Sequence, residues 1–240
     1  ARFSGEMPTR RRYALAMMAA MDDGVGRLRA RLDQLELSEN TLIFYISDNG
    51  APLAIDKRDA AITDASGGWD GSLNTPLNGE KGTLLEGGIR VPFIAAWKSK
   101  IAAGQLVKEP VSTLDVAATG LAVSGEPEEP LLDGVNLMPT LTSDAEMPGR
   151  ALFWRFWGQA AVREGSWKLL KLSSGERFLF NLEEDLGERK NLLNDYPKIS
   201  RALEDKLMDW SDSMLPVGLP QDALNRQEQA WFRHYLELER

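Results

Sequence analysis

Two short stretches of the sequence carry side chains that could bind a cation and an anion. Asp48 and Asn49 directly follow the apolar run "TLIFYIS", and Lys81 lies in the glycine-rich stretch "NGEKGTLLEGGIRVPFIAAW". A carboxylate and an amide supply the hard oxygen ligands that calcium and magnesium prefer. Glycines allow the backbone and an ammonium group to close around an anion. These residue types therefore predict part of a divalent-cation site and an anion contact.

Each stretch also has a purely structural interpretation, which the residues alone leave open. Asp-Asn and Asn-Gly favour turns for backbone reasons, and a lysine in a glycine-rich loop is usually solvated. Calcium takes about six to eight oxygen ligands, so Asp48 and Asn49 need further ligands from elsewhere. The adjacent acids Asp22 and Asp23 are interpreted as structural residues of a helix and not as ligands.

The elements around Asp48 and Asn49 predict an α/β layer. Apolar residues recur at steps of three or four from about Thr9 to Leu37, which predicts an amphipathic helix with Thr9 as its N-cap. Residues 41–47 are nearly all apolar, as in a strand covered on both faces. A helix leading into such a strand indicates a parallel sheet. Ligands of open α/β sheets bind outside the carboxyl ends of the strands, where Asp48 and Asn49 stand.

A long loop separates this strand from a second one at about Arg90 to Trp97. Residues 50–80 are rich in Gly, Asn, Asp and Ser, and loops of this length in compact domains are usually functional or mobile. Trp69 in this loop has two open interpretations: it stacks on a sugar or aryl group, or it anchors the loop by packing. Further on, "VSTLDVAATGLAV" predicts a helix with Ser112 as N-cap and Asp115 at the capping-box position.

The pattern changes near residue 148. The runs "ALFWRFWG", "AAVREGSWKLLKL" and "ERFLFNLEED" are short, aromatic or alternating, and separated by turns, which predicts an antiparallel meander. Residues 197–210 place apolar side chains in helical register and are expected to pack on this sheet. We predict a first domain at 1–148, an antiparallel subdomain at 149–215 and a tail at 216–240.

Composition narrows the classes of partner and chemistry. The chain of 240 residues has a net charge of −8 and no cysteine. An acidic chain without a basic patch is not expected to bind nucleic acid or an anionic membrane. The absence of cysteine excludes disulfides, thiolate metal ligands and a cysteine nucleophile within this chain. The apolar runs are too short to span a bilayer, and no signal-like segment is apparent at the start.

The two stretches together resemble a known family. "MDDGVGRLRARLDQLELSENTLIFYISDNG" followed by "LNGEKGTLLEGGIRVPFIAAW" resembles the C-terminal half of type I sulfatases, the arylsulfatase family of the alkaline phosphatase superfamily. "AVREGSWKLLKL" and "FLFNLEEDLGERKNL" are similar to the C-terminal subdomain of that family. The resemblance covers roughly residues 10–195. It implies an α/β sandwich with a predominantly parallel sheet, followed by a small antiparallel sheet plus helix.

The resemblance also implies an activity and roles for the candidate residues. Members of the family are sulfuric ester hydrolases in which the Asp and Asn of the "DNG" stretch bind a metal, usually calcium. Those roles pass to Asp48 and Asn49, and the sulfate contact of the family's lysine passes to Lys81. A cation and an ammonium on the sulfate would stabilise charge developing on its oxygens. The implied substrate is a sulfate ester of a small molecule or carbohydrate, and the implied location is periplasmic or secreted.

The chain lacks the sequence motif that supplies the catalytic nucleophile of the family. The family forms a formylglycine from the first residue of Cys/Ser-x-Pro-x-Arg, and this chain contains no such motif. "EMPTR" at 6–10 and "EMPGR" at 146–150 carry glutamate in the first place, so we interpret both as chance. His234 is interpreted as a surface or packing residue. We therefore predict a C-terminal part of a longer sulfatase, inactive without the N-terminal half that supplies the nucleophile.

Two other functions stay open at this point. The same superfamily scaffold serves phosphoesterases and phosphonate monoester hydrolases, which use similar metal ligands. A non-catalytic binding module built on the scaffold is the second alternative. An exposed apolar surface where another half should pack would count against a stand-alone module, because stable monomers rarely leave large apolar patches open.

Overall fold

The computed structural model describes residues 2–63, 68–126, 132–143, 145–216 and 225–237. The chain divides into two compact units. Unit 1 contains residues 1–22, 48–91 and 151–240, and unit 2 contains residues 23–47 and 92–150. The predicted domain bounds at residues 148 and 215 stay predictions.

The predicted N-terminal helix is confirmed as α1, Thr9–Gln34, but its predicted cap is not. Thr9 is already helical, and the Asp59 carboxylate accepts hydrogen bonds from the backbone N–H groups of Thr9 and Arg10, both at 2.8 Å. These two hydrogen bonds hold the pKa of Asp59 below its usual value. An acid from the long loop therefore caps α1, where the helix dipole favours a negative charge.

The apolar stripe of α1 is largely exposed within the described chain. Ala14 is the only buried residue among those of the helix. The large apolar residues of the stripe that are exposed are Tyr13, Met17, Met18, Met21 and Leu28. No helix in the described ranges is both long enough and apolar enough to cross a membrane. Exposed apolar patches of this kind mark contact surfaces.

Strands β1, Ile43–Ile46, and β2, Phe93–Ala96, pair in antiparallel orientation, with Ile43 opposite Ala96. The predicted predominantly parallel sheet is therefore wrong for the described residues, whose two sheets are both antiparallel. The chain leaves β1 at Ser47 and returns through Pro92, and the Ser47 N–H donates to the Pro92 carbonyl. The strands are thus joined at neighbouring ends, which forces opposite directions. An apolar run by itself carries no information on direction.

Cover on both faces of β1, which the apolar pattern predicted, is also absent in the described chain. Tyr45 of β1 and Ile94 of β2 are paired across the ladder, and both are exposed. The apolar pattern of β1 is typical of a strand with both faces buried. In the described residues, the face that carries Tyr45 and Ile94 is exposed.

Besides β1, β2 and residues 23–34 of α1, unit 2 contains η1, Ser38–Asn40, α3, Asp115–Ser124, and α4, Met138–Ser143. The capping-box contact predicted for Asp115 is confirmed, because its carboxylate accepts a hydrogen bond from the Ser112 N–H at 2.7 Å. The predicted N-cap Ser112 is wrong, since α3 begins at Asp115 and Leu114 is its N-cap. The buried Asp115 also forms a bidentate pair with Arg150, at 2.7 and 2.5 Å. The arginine of "EMPGR" therefore has a structural role.

The predicted antiparallel meander and its helix are confirmed in unit 1. Strands β3, Ala151–Phe156, β4, Gln159–Glu164, β5, Trp167–Lys171, and β6, Arg177–Asn181, pair in that order. Helix α5, Pro197–Ser213, covers one face. The buried contacts there are made by Val162, Leu169, Leu179, Leu203 and Leu207.

A second helix packs in unit 1 where the sequence analysis placed only a tail. Helix α6, Asn225–Tyr235, buries Phe232 in a cluster with Leu85, Leu170 and Phe180. Trp231, Phe232 and Tyr235 lie one turn apart or adjacent, which is the pattern that could have predicted the helix. Residues 217–224 and 238–240 of the predicted tail lie outside the described residues.

Candidate functional site

Asp48 and Asn49 follow β1 at the start of a tight turn. The Asp48 side chain is exposed, Asn49 is half-buried and Gly50 is buried. The Asp48 carboxylate accepts a hydrogen bond from the Asn49 N–H at 3.0 Å, and the Asn49 side-chain amide donates to the Gly50 carbonyl at 3.0 Å. The turn therefore has the structural role that its sequence favours, and it also leaves a carboxylate at the surface.

The turn is locked against the helix α2, Glu86–Ile89, of the second stretch. The Gly50 N–H donates to the Gly88 carbonyl at 2.9 Å. A Cβ atom on Gly50 would lie 1.7 Å from the Gly87 carbonyl oxygen, so no larger residue fits this contact. The two stretches singled out by the sequence are thus joined backbone to backbone.

Lys81 lies next to the same turn. Its backbone N–H donates to the Ala51 carbonyl at 3.1 Å. Asn74 reinforces this junction, since its side-chain oxygen accepts from the Ala51 N–H at 3.0 Å and its side-chain nitrogen donates to the carbonyls of Ala51 and Gly79. The Lys81 side chain is exposed and makes no hydrogen bond or ion pair within the described ranges. The structure therefore brings the Lys81 loop beside the Asp48 turn.

Glu80 supports the junction from inside. Its side chain is buried, and its carboxylate accepts hydrogen bonds from the N–H groups of Leu53 and Ala54 at 2.6 and 3.0 Å. Sequence reasoning missed the roles of Asn74 and Glu80. The side chains of both residues form hydrogen bonds with backbone groups more than 20 residues away in the sequence. No local sequence pattern predicts such contacts.

Glu86 anchors the second stretch to the C-terminal sheet through a buried ion network. The Lys168 ammonium, fully buried on β5, contacts Glu86 at 2.9 Å and Glu188 at 2.7 Å. The Glu86 N–H donates to the second oxygen of Glu188 at 2.6 Å, and Arg163 lies 3.5 Å from Glu86. One lysine thus joins α2 to the loop after β6.

Burial and neighbouring charges shift the pKa values of Glu86 and Glu188 in opposite directions. Burial raises the pKa of Glu188 to about 7, more than the charge of Lys168 lowers it. Burial also acts to raise the pKa of Glu86, but the charges of Lys168, Arg163 and Arg90 outweigh it and hold that pKa below its usual value. Near neutral pH, Glu86 is therefore the ionised partner and Glu188 titrates.

Replacing Glu188 with glutamine is expected to flatten the pH dependence of stability. Between the ordinary pKa of 4.5 and the folded value of about 7, the folded chain holds a proton that the unfolded chain has lost. The stabilisation is complete below pH 4.5 and is lost as the pH rises through 7, a decline of roughly 1 to 3 kcal/mol. Urea unfolding of parent and Glu188→Gln across this range measures it, and equal slopes in both would contradict the assignment.

Trp69 anchors the long loop by packing. The Trp69 side chain is buried, and its indole N–H donates to the Ser72 carbonyl at 2.6 Å. The Arg10 guanidinium donates to the carbonyls of Trp69, Ala60 and Ala61. The packing interpretation of Trp69 is therefore confirmed, and the arginine of "EMPTR" has a structural role. Residues 64–67 of the loop lie outside the described residues.

The metal ligands implied by the resemblance have the oxygen donors that calcium prefers, but two residues are too few to complete a calcium site. Asp48 and Asn49 offer a carboxylate and an amide, which suit a hard cation. Among the described residues, no group of three or more His, Cys, Asp or Glu could hold a metal. His234 is exposed on α6 and packs edge-on against Tyr235, in agreement with its predicted surface or packing role.

Comparison with known proteins decides the family. The family model named Sulfatase matches residues 3–126, just over half of the chain of 240 residues. The chain belongs to the sulfatase family. Over 150 residues, this sulfatase chain is 35% identical to N-acetylgalactosamine-6-sulfatase from Mus musculus, an alignment that covers 62% of the chain and 27% of the mouse protein. It is 38% identical over 128 residues to the steryl-sulfatase of Mus musculus, covering 52% of the chain and 19% of that protein.

The structural comparison extends the likeness over almost the whole sulfatase chain. The crystal structure of Ps i-CgsB in complex with k-i-k-neocarrahexaose matches with a TM-score of 0.72 and 28% sequence identity. The match covers 95% of this chain and 48% of Ps i-CgsB. The sulfatase chain thus spans about half the length of this solved relative and a smaller share of the two mouse proteins.

Proposed function

We propose that this chain is the C-terminal part of a longer sulfatase that hydrolyses sulfate esters. In this proposal Asp48 and Asn49 supply part of a calcium site, and Lys81 binds the sulfate oxygens. The observation that carries the proposal is the hydrogen bond from the Lys81 N–H to the Ala51 carbonyl, because it holds the lysine loop beside the Asp48 turn. A lysine without an ion-pair partner in the described chain is available to an anion.

The roles follow from the chemistry of the three side chains. Bound calcium would act as a Lewis acid toward a sulfate oxygen. Lys81 adds a positive charge that meets the negative charge developing on the sulfate oxygens as the S–O bond breaks. Gly50, Asn74 and Glu80 fix the positions of the two stretches, so little reorganisation is needed when the ester binds.

The proposal includes an N-terminal half that supplies the formylglycine nucleophile and the remaining calcium ligands. The chain has no cysteine and no Ser-x-Pro-x-Arg, so it is expected to be inactive alone. The exposed apolar stripe of α1 and the exposed pair Tyr45 and Ile94 support a packing partner of this kind. Each of these exposed apolar groups argues against a stand-alone binding module.

A sulfated carbohydrate is the substrate class that we propose. N-acetylgalactosamine-6-sulfatase is named for a sugar sulfate, and Ps i-CgsB was crystallised with a neocarrahexaose. The steryl-sulfatase shows that relatives of similar identity differ in the group that carries the sulfate. The carbohydrate part of the substrate is therefore proposed from the names of two relatives.

Replacing Lys81 with alanine in the longer gene product is expected to lower kcat for sulfate esters by about 100- to 1,000-fold, the usual loss for a donor that stabilises a developing oxyanion. Calcium affinity should stay unchanged, because Lys81 is not a proposed ligand. Lys108→Ala is the matched control, since Lys108 is an exposed lysine in unit 2. The measurements are aryl sulfate hydrolysis and calcium titration.

The results also separate the alternatives. Asp48→Ala should weaken calcium binding and activity together, whereas Lys81→Ala should weaken activity alone. Faster hydrolysis of aryl phosphates than of aryl sulfates would favour the phosphoesterase alternative. A native gene product no longer than 240 residues would favour a binding module, and Lys81→Ala with parental activity would contradict the proposed sulfate contact.

A further inference from the structure

Helix α6 contacts the loop that carries Lys81. The Asn78 side-chain amide donates a hydrogen bond at 2.8 Å to the carbonyl of Tyr235, the last residue of α6. The two partners are 157 residues apart in the sequence. The Asn78 carbonyl also accepts a hydrogen bond from the Gly87 N–H at 2.6 Å. The start of the Lys81 loop is therefore held both by α2 and by the end of α6.

Trp231, one helical turn before Tyr235, packs directly against Gly82. The φ angle of Gly82 is +96°, and a Cβ atom there would lie 2.4 Å from the Trp231 ring. The three ring atoms nearest to that position, Cη2, Cζ3 and Cζ2, all belong to the six-membered part of the indole. Trp231 is buried, and close packing fixes buried side chains. The residue that directly follows Lys81 is thus covered by α6.

Tyr235 lies near the residue that directly precedes Lys81. Burial and the nearby Glu80 carboxylate raise the pKa of the Tyr235 hydroxyl, so the hydroxyl stays protonated at neutral pH. The hydroxyl oxygen is buried and makes no hydrogen bond of ordinary geometry among the described residues. Both sequence neighbours of Lys81 therefore lie close to α6, whereas the Lys81 side chain is exposed.

We propose that α6 positions Lys81 for its contact with the sulfate, with Trp231 as the main positioning residue. This inference rests on the proposed function, because that function assigns the sulfate contact to Lys81. Glycine permits many backbone conformations, and the Trp231 ring restricts Gly82 to one of them. The backbone beside Lys81 sets the direction of its flexible side chain. Trp231 acts through Gly82 and does not touch the substrate.

The test is Trp231→Phe in the longer gene product. A phenylalanine keeps an apolar ring in the core but lacks the outer indole atoms that contact Gly82. We expect kcat for 4-nitrophenyl sulfate to fall by about 10- to 100-fold, the loss for a misplacement on the order of 1 Å. Calcium affinity should stay unchanged. The loss should be smaller than that of Lys81→Ala, because the Gln159 side chain still donates to the Gly82 carbonyl.

Trp210→Phe is the matched control. Trp210 on α5 stacks on Phe153 with ring planes at 9°, as Trp231 stacks on Trp157 with planes at 9°. This variant should lose stability but keep the parental kcat. A double variant separates positioning from stability: in the Lys81→Ala background, Trp231→Phe should change kcat by less than about 2-fold. A general loss of folded protein would lower activity equally in both backgrounds.

Limited proteolysis tests the contact without use of the activity. Trypsin cleaves after lysine, and cleavage within a held loop follows the population of its open form. In Trp231→Phe, cleavage after Lys81 should become about 5- to 20-fold faster, whereas cleavage after the exposed Lys108 should keep its parental rate. Thermal unfolding confirms that the variant is folded.

The outcomes separate this inference from the proposed function. Parental activity of Lys81→Ala would contradict the proposed function, and faster cleavage of Trp231→Phe after Lys81 would then still support the hold of α6 on the loop. The positioning role is overturned if folded Trp231→Phe keeps the parental kcat, or if its loss of kcat persists undiminished in the Lys81→Ala background. Parental cleavage after Lys81 in that variant would overturn the hold itself.

Discussion

Replacing Lys168 with alanine is expected to lower the free energy of unfolding by about 3 to 5 kcal/mol. The Lys168 side chain is fully buried and is the cation shared by Glu86 and Glu188. Those two carboxylates are buried as well, so removal of the ammonium leaves both without the cation that they share. Arg163 and Arg90, at 3.5 and 3.7 Å, still face Glu86, whereas Glu188 must be buried as a charge or take up a proton.

The control for Lys168→Ala is an ion pair of similar length at the surface. Lys206 lies 2.5 Å from Glu164, and both side chains are nearly half exposed. Lys206→Ala is expected to cost at most about 1 kcal/mol, since exposed pairs are screened by water and salt. Urea unfolding of the parent and both variants measures the difference, and equal losses would contradict a special role for the buried network.

The network also bears on the site. Lys168 on β5 fixes Glu86, and the next two residues, Gly87 and Gly88, hold the turn that contains Gly50. The C-terminal sheet is therefore connected through one buried lysine to the turn that presents Asp48. We expect Lys168→Ala to disturb that turn even in molecules that stay folded, which makes Lys168 a positioning residue.

Sequence reasoning succeeded where a local pattern carries the information. The three-to-four spacing from Tyr13 to Leu32 predicted α1, and the apolar residues Leu203 and Leu207 predicted the face of α5 that packs on the sheet. The adjacency of the Asp48 turn and the Lys81 loop came only from the family resemblance. The roles of Asp48, Asn49 and Lys81 as ligands stay predictions.

The failures involve contacts between residues far apart in the chain. Asp59 caps α1 from the long loop in place of Thr9, and no pattern near Thr9 could have predicted it. The predicted direction of β2 relative to β1 was wrong. That direction depends on where the chain re-enters the sheet, and it does so at Pro92, beside Ser47. The network around Lys168 was missed because a lysine in an alternating strand is normally assigned to the solvent side.

Replacing Gly50 with alanine is expected to destabilise unit 1 by more than about 4 kcal/mol, a loss seen only for severe packing or backbone conflicts. The new Cβ atom would lie 1.7 Å from the Gly87 carbonyl oxygen and 2.7 Å from its carbon. Both are backbone atoms, so relief requires separation of the two stretches and loss of the Gly50 to Gly88 hydrogen bond. The turn that presents Asp48 would move with it.

Gly120→Ala is the matched control for this substitution. Gly120 lies in α3, where a Cβ atom would meet nothing within 4 Å, and alanine there should stabilise the chain by about 0.5 to 1 kcal/mol. Thermal unfolding and inorganic sulfate binding measure both variants. Gly50→Ala should lose stability and sulfate binding together, because one contact holds both stretches. A Gly50→Ala chain that unfolds and binds sulfate like the parent would show that the close backbone contact does not hold the site.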